Sequence, residues 1–451
     1  MNKVYEYIDE HQEQYIKELF TLLMQHSISP QNDVQGIEDC AKLLAGMMTN
    51  MGIDTRIFPT KGMPIVYGEV LSHEEAPTIL IYGHYDVMPV EPLEEWKTDP
   101  FKPEIIDGKI FARGASDDKG QSFTYLKGYE AYKNVYGNVP VNIKYLFDGE
   151  EEIGSPSLLP FVLDNLEMLK ADVLLSSDSK IHESGRPVLF LGLKGMCSVD
   201  IEVKSAEKDL HSMYAPVAPS SAWRLIGLLN TLKGEDGTVK IDGFYDDVVE
   251  PTELEKETTK KIPFDKETVF ANLTIKDLVE NRTGKDYYYN YIFEPTCNIG
   301  YMGVGYESGV KDIVPKKATV RIDMNLVPNQ KPEKILATLR KYLDKNGYED
   351  VEIKPCSMMT PYRTAIDNKY VPVVEDAIRE VWKKDPVILP GIGGFGPNFV
   401  FSDNLNIPNI YIPYGALDNS NHAPNESLVI DGFMKGIKIF ATIINKISTM
   451  D

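Results

Sequence analysis

The order of apolar and polar positions predicts helices at the start of the chain and alternating strands and helices after them. Over residues 1–55 the apolar side chains recur at helical spacing and form two faces, one of Tyr15, Leu19, Leu22 and Leu23 and one of Ile37, Cys40, Leu43 and Leu44. Between about residues 56 and 192, short apolar runs alternate with helical stretches, as in a parallel or mixed sheet covered by helices. The clearest strands are Ile79–Tyr82, Val141–Phe147 and Val173–Ser176, and the clearest helices are Ser122–Val135 and Ser157–Leu169.

The pattern changes from about Lys194, where the elements follow the order strand, helix, strand, strand, helix, strand of a ferredoxin-like domain. Their predicted bounds are Met196–Val203, Ser220–Leu232, Thr296–Met302, Ala318–Leu326, Pro332–Asn346 and Val351–Pro355. Residues 233–295 are charged and tyrosine-rich, and we predict a loop-like segment there. After about residue 361 the first pattern resumes with Val371–Lys383, Asn409–Ile412 and Ile430–Ser448.

These elements predict an α/β fold with a mixed, mostly parallel sheet covered by helices. Residues 1–193 and 361–451 would form the two parts of one main domain. Residues 194–360 would form a second, α+β domain that is inserted into the first.

Composition and charge narrow the class of protein. The chain has 451 residues, 43% apolar and 25% charged, and this length favours more than one domain. Its formal net charge of −21 argues against nucleic acid or an anionic membrane as a partner. The N-terminus has no apolar signal core, and no stretch approaches the roughly 20 apolar residues of a membrane span. The four cysteines lie far apart, so we predict reduced thiols in a cytoplasmic protein.

Residues that can bind metals follow three of the predicted strands and turns. Gly83–Val87 closes an apolar run with His84 and Asp86, whose alternate positions on a strand end point to one side. Ser116–Gly120 has paired carboxylates after a glycine-bearing turn, and Glu150–Gly154 ends another apolar run with three glutamates. Carboxylates that converge would repel one another without a cation, so the pattern predicts a metal site.

Two further residues complete a candidate ligand set. Asp178 follows the strand Val173–Ser176, and His422 lies in the polar loop Asn419–Glu426. Each position alone has an ordinary structural explanation, such as a turn, a helix cap or a solvated acidic face. Together, imidazole and carboxylate groups suit zinc, cobalt or manganese better than calcium, and five ligands are enough for two ions that share one carboxylate. The candidate ligands are His84, Asp117, Glu152, Asp178 and His422.

Longer motifs give the sequence a family resemblance from about residue 60 to residue 440. The sequence resembles the di-zinc metallopeptidase family of carnosinase-type dipeptidases, carboxypeptidase G, aminoacylase and succinyl-diaminopimelate desuccinylase. The matching segments are, in order, Gly83–Pro89, Trp96–Phe101, Gly108–Gly120, Glu151–Ser155, Asp209–Ser212, Pro295–Ile299 and Leu326–Gln330. The resemblance implies a di-zinc exopeptidase fold whose inserted domain serves as a lid and as the surface of a homodimer.

The resemblance also implies a role for each ligand. His84 and Asp178 would bind one zinc ion, Glu152 and His422 would bind the other, and Asp117 would bridge the two. Cobalt or manganese would suit the same ligands.

Three further features follow from the resemblance. Glu151 would be the general base, which activates the bridging water and passes its proton to the leaving amine. Asp86 would orient His84 through the second ring nitrogen of the imidazole. The peptide bond between Asp117 and Asp118 would be cis.

The substrate contacts are less completely matched. The histidine equivalent to His211 in relatives reaches the substrate carbonyl, often from the partner subunit of a dimer. Relatives often carry an arginine just before Leu-Val-Pro to hold the substrate carboxylate, whereas this chain has Asn325, which cannot form that charged fork. We therefore count Asn298, Asn325 and the backbone amides of Gly393 and Gly394 among the candidate substrate contacts.

The resemblance predicts a metal-dependent hydrolase that cleaves dipeptides or the C-terminal residues of short peptides. An N-acyl-amino-acid deacylase would use the same site and is the alternative. A metal-bound scaffold without catalysis would not need Glu151. Two weaker patterns lack their required context: Gly391–Gly396 imitates a dinucleotide fingerprint, and Ser116–Lys119 with Ser402–Asn404 imitates a serine β-lactamase.

Overall fold

The computed structural model of the protein describes residues 1–279, 285–305 and 311–450. The helices are α1 (Asn2–Glu10), α2 (Gln12–Leu23), α3 (Val34–Asn50), α4 (Lys119–Tyr136), α5 (Leu158–Asp164), α6 (Leu166–Leu169), α7 (Ser221–Leu232), α8 (Glu253–Thr259), α9 (Lys266–Leu273), α10 (Lys285–Phe293), α11 (Pro332–Lys345), α12 (Tyr370–Trp382), α13 (Phe399–Leu405) and α14 (Ile430–Ile447). Short 3-10 helices lie at Ser29–Gln31, Leu93–Glu95, Glu151–Ile153 and Ser212–Tyr214.

The strands complete the list of regular elements. They are β1 (Asp54–Phe58), β2 (Ile65–Val70), β3 (Thr78–His84), β4 (Glu104–Ile106), β5 (Lys109–Phe111), β6 (Asn142–Asp148), β7 (Val173–Ser176), β8 (Val188–Phe190), β9 (Gly192–Leu193), β10 (Gly195–Lys204), β11 (Leu210–His211), β12 (Thr296–Val304), β13 (Ile313–Val314), β14 (Lys317–Leu326), β15 (Glu352–Met359), β16 (Tyr362–Arg363), β17 (Val387–Leu389), β18 (Asn409–Tyr411) and β19 (Ser427–Val429).

The main sheet has eight strands in the order β1-β2-β6-β3-β7-β18-β8-β17. Its centre is parallel, since β6, β3, β7 and β18 run side by side in one direction. The strand β3 is buried over nearly its whole length, as expected of a central strand with helices on both faces. One face packs on α1–α4, α12 and α14, and the other on α5, α6 and α13. This confirms the predicted mixed, mostly parallel α/β sheet.

The second sheet has four antiparallel strands in the order β12-β14-β10-β15. Along the chain these strands alternate with α7 and α11 in the predicted ferredoxin-like order. Alternate residues of β10 and β14 are buried beneath the two helices, which gives this sheet a core of its own. The exact division into residues 1–193, 194–360 and 361–451 stays a prediction.

The loop-like prediction for residues 233–295 was wrong for part of that segment, because α8, α9 and α10 lie within it. The helix α8 has a capping box, in which Thr252 and Glu255 bond each other's backbone amides. The helix α10 is rich in tyrosine and packs against β8 and β17 of the main sheet through Tyr288 and Ile292. Tertiary packing therefore stabilises a segment whose sequence carries little helical periodicity.

No helix within residues 1–279, 285–305 and 311–450 is long and apolar enough to cross a membrane.

Candidate metal centre

The central strands bring the predicted ligands to one edge of the main sheet. His84 is the last residue of β3, and Asp178 lies two residues after β7. Glu152 lies in the turn that follows β6, and Asp117 precedes α4. Since the carboxyl ends of neighbouring parallel strands meet at the same sheet edge, these side chains converge although they are far apart in sequence.

A close approach of α4 to the end of β3 makes this convergence possible. A Cβ atom at Gly83 would lie 1.8 Å from Ser122 Oγ and 2.7 Å from Asp118 Oδ2, so only glycine fits there. Asp118 Oδ2 accepts hydrogen bonds from the Ser122 hydroxyl and, at 3.3 Å, from the backbone amide of His84. The Asp117–Asp118 peptide bond is cis, as expected.

The five predicted ligands form two groups that share Asp117. In one group, His84 Nε2 lies 3.1 Å from Asp117 Oδ1 and 3.7 Å from Asp178 Oδ2. In the other, His422 Nε2 lies 3.0 Å from Asp117 Oδ2 and 3.2 Å from Glu152 Oε2. Asp117 thus turns one oxygen to each histidine. Four ligands at about 2.1 Å from a tetrahedral ion are about 3.4 Å apart, so both groups fit a zinc-sized cation.

Burial and charge also favour cations at this position. Glu152 Oε1 is buried without a hydrogen-bond partner in the described structure, which leaves it free to bind an ion. Burial raises the pKa of Glu152 to about 7 and raises the pKa of Glu151 well above its ordinary range. Hydrogen bonds to Asp117 and then to Glu152 raise the pKa of His422 to about 10. Carboxylates held this close in a poorly solvated site require positive charge.

Asp86 connects two of the strand ends. His84 Nδ1 lies 3.1 Å from the backbone oxygen of Asp86 and 3.4 Å from its Oδ1, so the main chain provides the shorter contact to the imidazole. The Asp86 carboxylate accepts the backbone amides of Glu151 and Glu152 at 3.1 Å each. The hydroxyl of Ser29 donates to the same carboxylate at 2.5 Å. Asp86 therefore orients the glutamate turn as well as the histidine.

A cavity of about 380 Å³ opens onto both groups. Glu151 lines it together with His84, Asp117, Asp178 and His422. The lining also includes apolar and aromatic side chains, namely Phe190, Leu193, Ile392, Phe395 and Tyr411. Among the described residues that line the cavity there is no lysine or arginine, so no ammonium or guanidinium group is present there to bind a substrate carboxylate.

Unlike the predicted metal ligands, the residues predicted to contact the substrate do not all lie at the cavity. Gly394 lines the cavity, whereas Gly393 packs against the ring of Tyr291. Asn298 on β12 and Asn325 on β14 belong to the sheet of the inserted region and do not line the cavity. His211 is exposed on β11 and also lies outside the lining, its Nδ1 accepting the amide of Met213 at 3.1 Å.

Sequence reasoning missed several residues of this region. Glu426 and Arg113 form a buried ion pair at 2.8 Å beside the turn that carries Asp117. Phe190, Leu193 and Tyr411 were missed because they belong to separate segments and carry no motif, whereas Ile392 and Phe395 lie within the glycine run Gly391–Gly396, of which only the backbone amides were considered. A signal did exist for Glu426, which lies four residues after His422 in the same polar loop. Glu150, the additional acid of the glutamate run, accepts the amides of Met63 and Ser157.

Two carboxylate–histidine groups that share one aspartate, beside a cavity lined by a further glutamate, are typical of metal-dependent hydrolases. Residues 80–446 match the sequence pattern of peptidase family M20/M25/M40. The chain belongs to this family and is a metal-dependent peptidase.

Individual relatives cover nearly the whole chain. The chain is 27% identical to the Cys-Gly metallodipeptidase dug1 of Schizosaccharomyces pombe, over 100% of this chain and 99% of the relative. It is 25% identical to the Beta-Ala-His dipeptidase of Rattus norvegicus, over 100% and 96% of the two chains. The crystal structure of the M20 family metallo-carboxypeptidase Sso-CP2 from Sulfolobus solfataricus superposes with a TM-score of 0.91 and 34% identity, over 97% and 99% of the two chains.

Proposed function

We propose that the protein is a dipeptidase that uses two divalent metal ions, most simply zinc, held by the two groups that share Asp117. The observation that carries the proposal is the position of Glu151 in the wall of the cavity onto which both groups open. The names of the S. pombe and R. norvegicus relatives, which are both dipeptidases, support a dipeptide substrate.

The roles of the residues follow from their positions. His84, Asp117 and Asp178 would hold one ion, and Asp117, Glu152 and His422 the other. When bound, the ions supply Lewis-acid stabilisation of the negative charge that develops on the substrate carbonyl oxygen. Glu151 takes a proton from the attacking water and later gives it to the leaving amine. Burial is the first cause that raises the pKa of the Glu151 carboxyl group, and a higher pKa makes its carboxylate a stronger base toward the proton of the attacking water.

The proposal includes a homodimer. Exposed apolar side chains follow His211 along the chain in the inserted region, and we call this set, Met213, Tyr214, Val217, Trp223 and Ile226, the apolar patch. Val217 is 82% exposed and Trp223 is 74% exposed, and large exposed apolar side chains are typical of surfaces that bind another protein. A second copy bound at this patch would cover it and would allow His211 of one chain to reach the cavity of the other. Among the described residues, that cavity is lined by none from its own inserted region.

A cytoplasmic location is also part of the proposal. Cys40, Cys197, Cys297 and Cys356 are all free thiols, which is typical of a reducing compartment.

The experiment that tests the proposal compares two substrate panels on the purified full chain. One panel contains dipeptides, and the other contains N-acyl amino acids with the same C-terminal residues; zinc, cobalt and manganese are supplied in turn. We expect hydrolysis of dipeptides, no hydrolysis by the chelated enzyme, and little turnover of the N-acyl series. Preferential turnover of N-acyl amino acids would instead identify a deacylase, and hydrolysis that persists after prolonged chelation would contradict the metal centre.

A further inference from the structure

Glu426 is a buried carboxylate that belongs to neither candidate ligand group. Its side chain is 0% exposed and accepts four hydrogen bonds. Oε2 accepts from Arg113 Nη1 at 2.8 Å and from the backbone amide of Gly114 at 3.0 Å. Oε1 accepts from the backbone amides of Ser116 and Asp117 at 2.8 and 2.9 Å. One side chain therefore satisfies three amides of the turn that ends at the shared aspartate.

These bonds join the two loops that carry the ligands of one group. Glu426 lies in the same loop as His422, four residues further on, and its carboxylate accepts the backbone amide of Asp117 in the other loop. A second bond, from Asn419 Nδ2 to Ser116 Oγ at 2.8 Å, joins the same loops. His422 Nε2 and Asp117 Oδ2 lie 3.0 Å apart, and nothing in the local sequence of either loop could set that distance.

Arg113 holds the carboxylate from the other side. It is almost fully buried, its Nη2 donates to the backbone oxygen of Pro89 at 2.8 Å, and its guanidinium lies 5.3 Å from the centre of the Trp96 ring. The position of Glu426 is therefore fixed by neighbours as well as by the amides. Removal of one charge would leave the other buried and unpaired, which is costly.

We propose that Glu426 is a positioning residue that fixes the separation of Asp117 and His422 and thereby sets the affinity for the ion held by Asp117, Glu152 and His422. The inference rests on the proposed function, because it assumes that this group binds an ion. It is consistent with the general behaviour of groups that orient metal ligands, whose removal weakens metal binding or activity about 10- to 100-fold.

The test measures zinc affinity rather than turnover. The full chain is stripped of metal and titrated with zinc against a chromophoric chelator, as wild type, as Glu426→Gln and as the control Glu150→Gln. Glutamine has the volume of glutamate, but its NH₂ group would face backbone N–H donors. The control removes an equally buried carboxylate, which accepts the amides of Met63 and Ser157 at 2.8 and 3.0 Å and bonds no candidate ligand.

We expect wild type to bind two ions, and Glu426→Gln to bind one of them about 10- to 100-fold more weakly while the other affinity stays within about threefold. The control should keep both affinities within about threefold even if its melting temperature falls. Wild-type affinities in Glu426→Gln, or an equal loss in the control, would overturn the inference. A wild-type chain that binds no zinc would overturn the proposed function as well.

A second variant covers the case in which Glu426→Gln does not fold. Arg113→Lys keeps the positive charge but replaces the two guanidinium nitrogens, which donate separately to Glu426 and to the backbone oxygen of Pro89, by a single ammonium nitrogen without that planar geometry. We expect this variant to have an affinity for one of the two zinc ions that is lower by about threefold or more. Unchanged affinity for both ions would count against a positioning role for the pair.

Discussion

The carboxylate of Asp86 accepts a hydrogen bond from the backbone amide of Glu151, with 3.1 Å between Oδ1 and the amide nitrogen. The other oxygen accepts the amide of Glu152 at 3.1 Å and the hydroxyl of Ser29 at 2.5 Å. Because Asp86 also lies beside His84, one buried side chain orients a candidate base and two candidate ligands.

Asp86→Asn should therefore lower kcat about 10- to 100-fold, with a much smaller effect on KM. The substituted amide would turn its NH₂ group toward backbone donors and would displace the glutamate turn. Steady-state kinetics at saturating zinc separates the two constants. Ser29→Ala is the matched control, since it removes one donor to the carboxylate and should reduce kcat far less. A wild-type kcat in Asp86→Asn would show that the turn needs no such support.

Glu151→Gln should lower kcat by about 10²- to 10⁴-fold, because glutamine cannot accept the proton of the attacking water. Zinc content should stay at the wild-type level, as measured by elemental analysis of the dialysed protein. Glu150→Gln provides the control on the adjacent residue, whose carboxylate bonds main-chain amides instead of lining the cavity. Undiminished turnover by Glu151→Gln would sink the assignment of the base.

Chelation should abolish activity and also lower the melting temperature by several degrees. Ions that bind only the folded chain stabilise it by mass action, and their removal leaves the carboxylates of Asp117, Glu152 and Asp178 crowded without a cation. Differential scanning calorimetry before and after dialysis against a chelator measures the change. Added zinc should restore both properties, whereas magnesium, which prefers an octahedral oxygen shell, should not. Equal melting temperatures with and without zinc would contradict a bound metal pair.

His211→Ala should reduce kcat on dipeptides while it leaves the oligomeric state and the zinc content unchanged. Trp223→Glu should break the dimer, because Trp223 is 74% exposed within the apolar patch and a buried charge there would be unpaired. Sedimentation velocity and kinetics on both variants check the prediction. A monomeric wild type with full activity would contradict the proposal that His211 of one chain contributes to the active site of the other. Full turnover by His211→Ala would contradict it as well.

The stability of the protein should fall between about pH 6.5 and pH 4 in part because of His182. Burial, followed by the charge of Arg186, lowers the pKa of His182 to about 4. Its Nδ1 accepts the backbone amide of Ser184 at 3.1 Å, and its Nε2 lies 3.0 Å from the Tyr288 hydroxyl oxygen. A proton added at Nδ1 would therefore point toward the N–H group of Ser184. The unfolded chain binds this proton first, which makes stability decrease as the pH falls through that range.

Urea unfolding at pH 7 and pH 5 tests this effect in wild type and in His182→Gln. The variant removes the titrating ring, so its unfolding midpoint should lose less on acidification than that of wild type. Identical losses in the two proteins would exclude His182 as a contributor.

Elements with strong periodicity could be predicted from the sequence, and those held by tertiary contacts could not. The strand β3 and the helix α14 follow the predicted bounds closely, because a continuous apolar run and a wide apolar stripe each specify one way to be buried. The helix α8 had a local signal in the capping box of Thr252 and Glu255. The helix α10 had none, since its tyrosines become helical by packing on the main sheet.

The five side chains of the candidate metal centre could be named from the sequence, because they lie in or after strands, turns and loops whose motifs match a known family. The contacts that hold those side chains in place were visible only in the tertiary structure. It assigned one oxygen of Asp117 to each histidine, gave Asp86 the amides of the glutamate turn, and buried Glu426 against the turn before Asp117. These hydrogen bonds and the buried charge pair join segments that lie tens to hundreds of residues apart in the chain. Local periodicity reports on neighbouring residues only, so it does not predict such contacts.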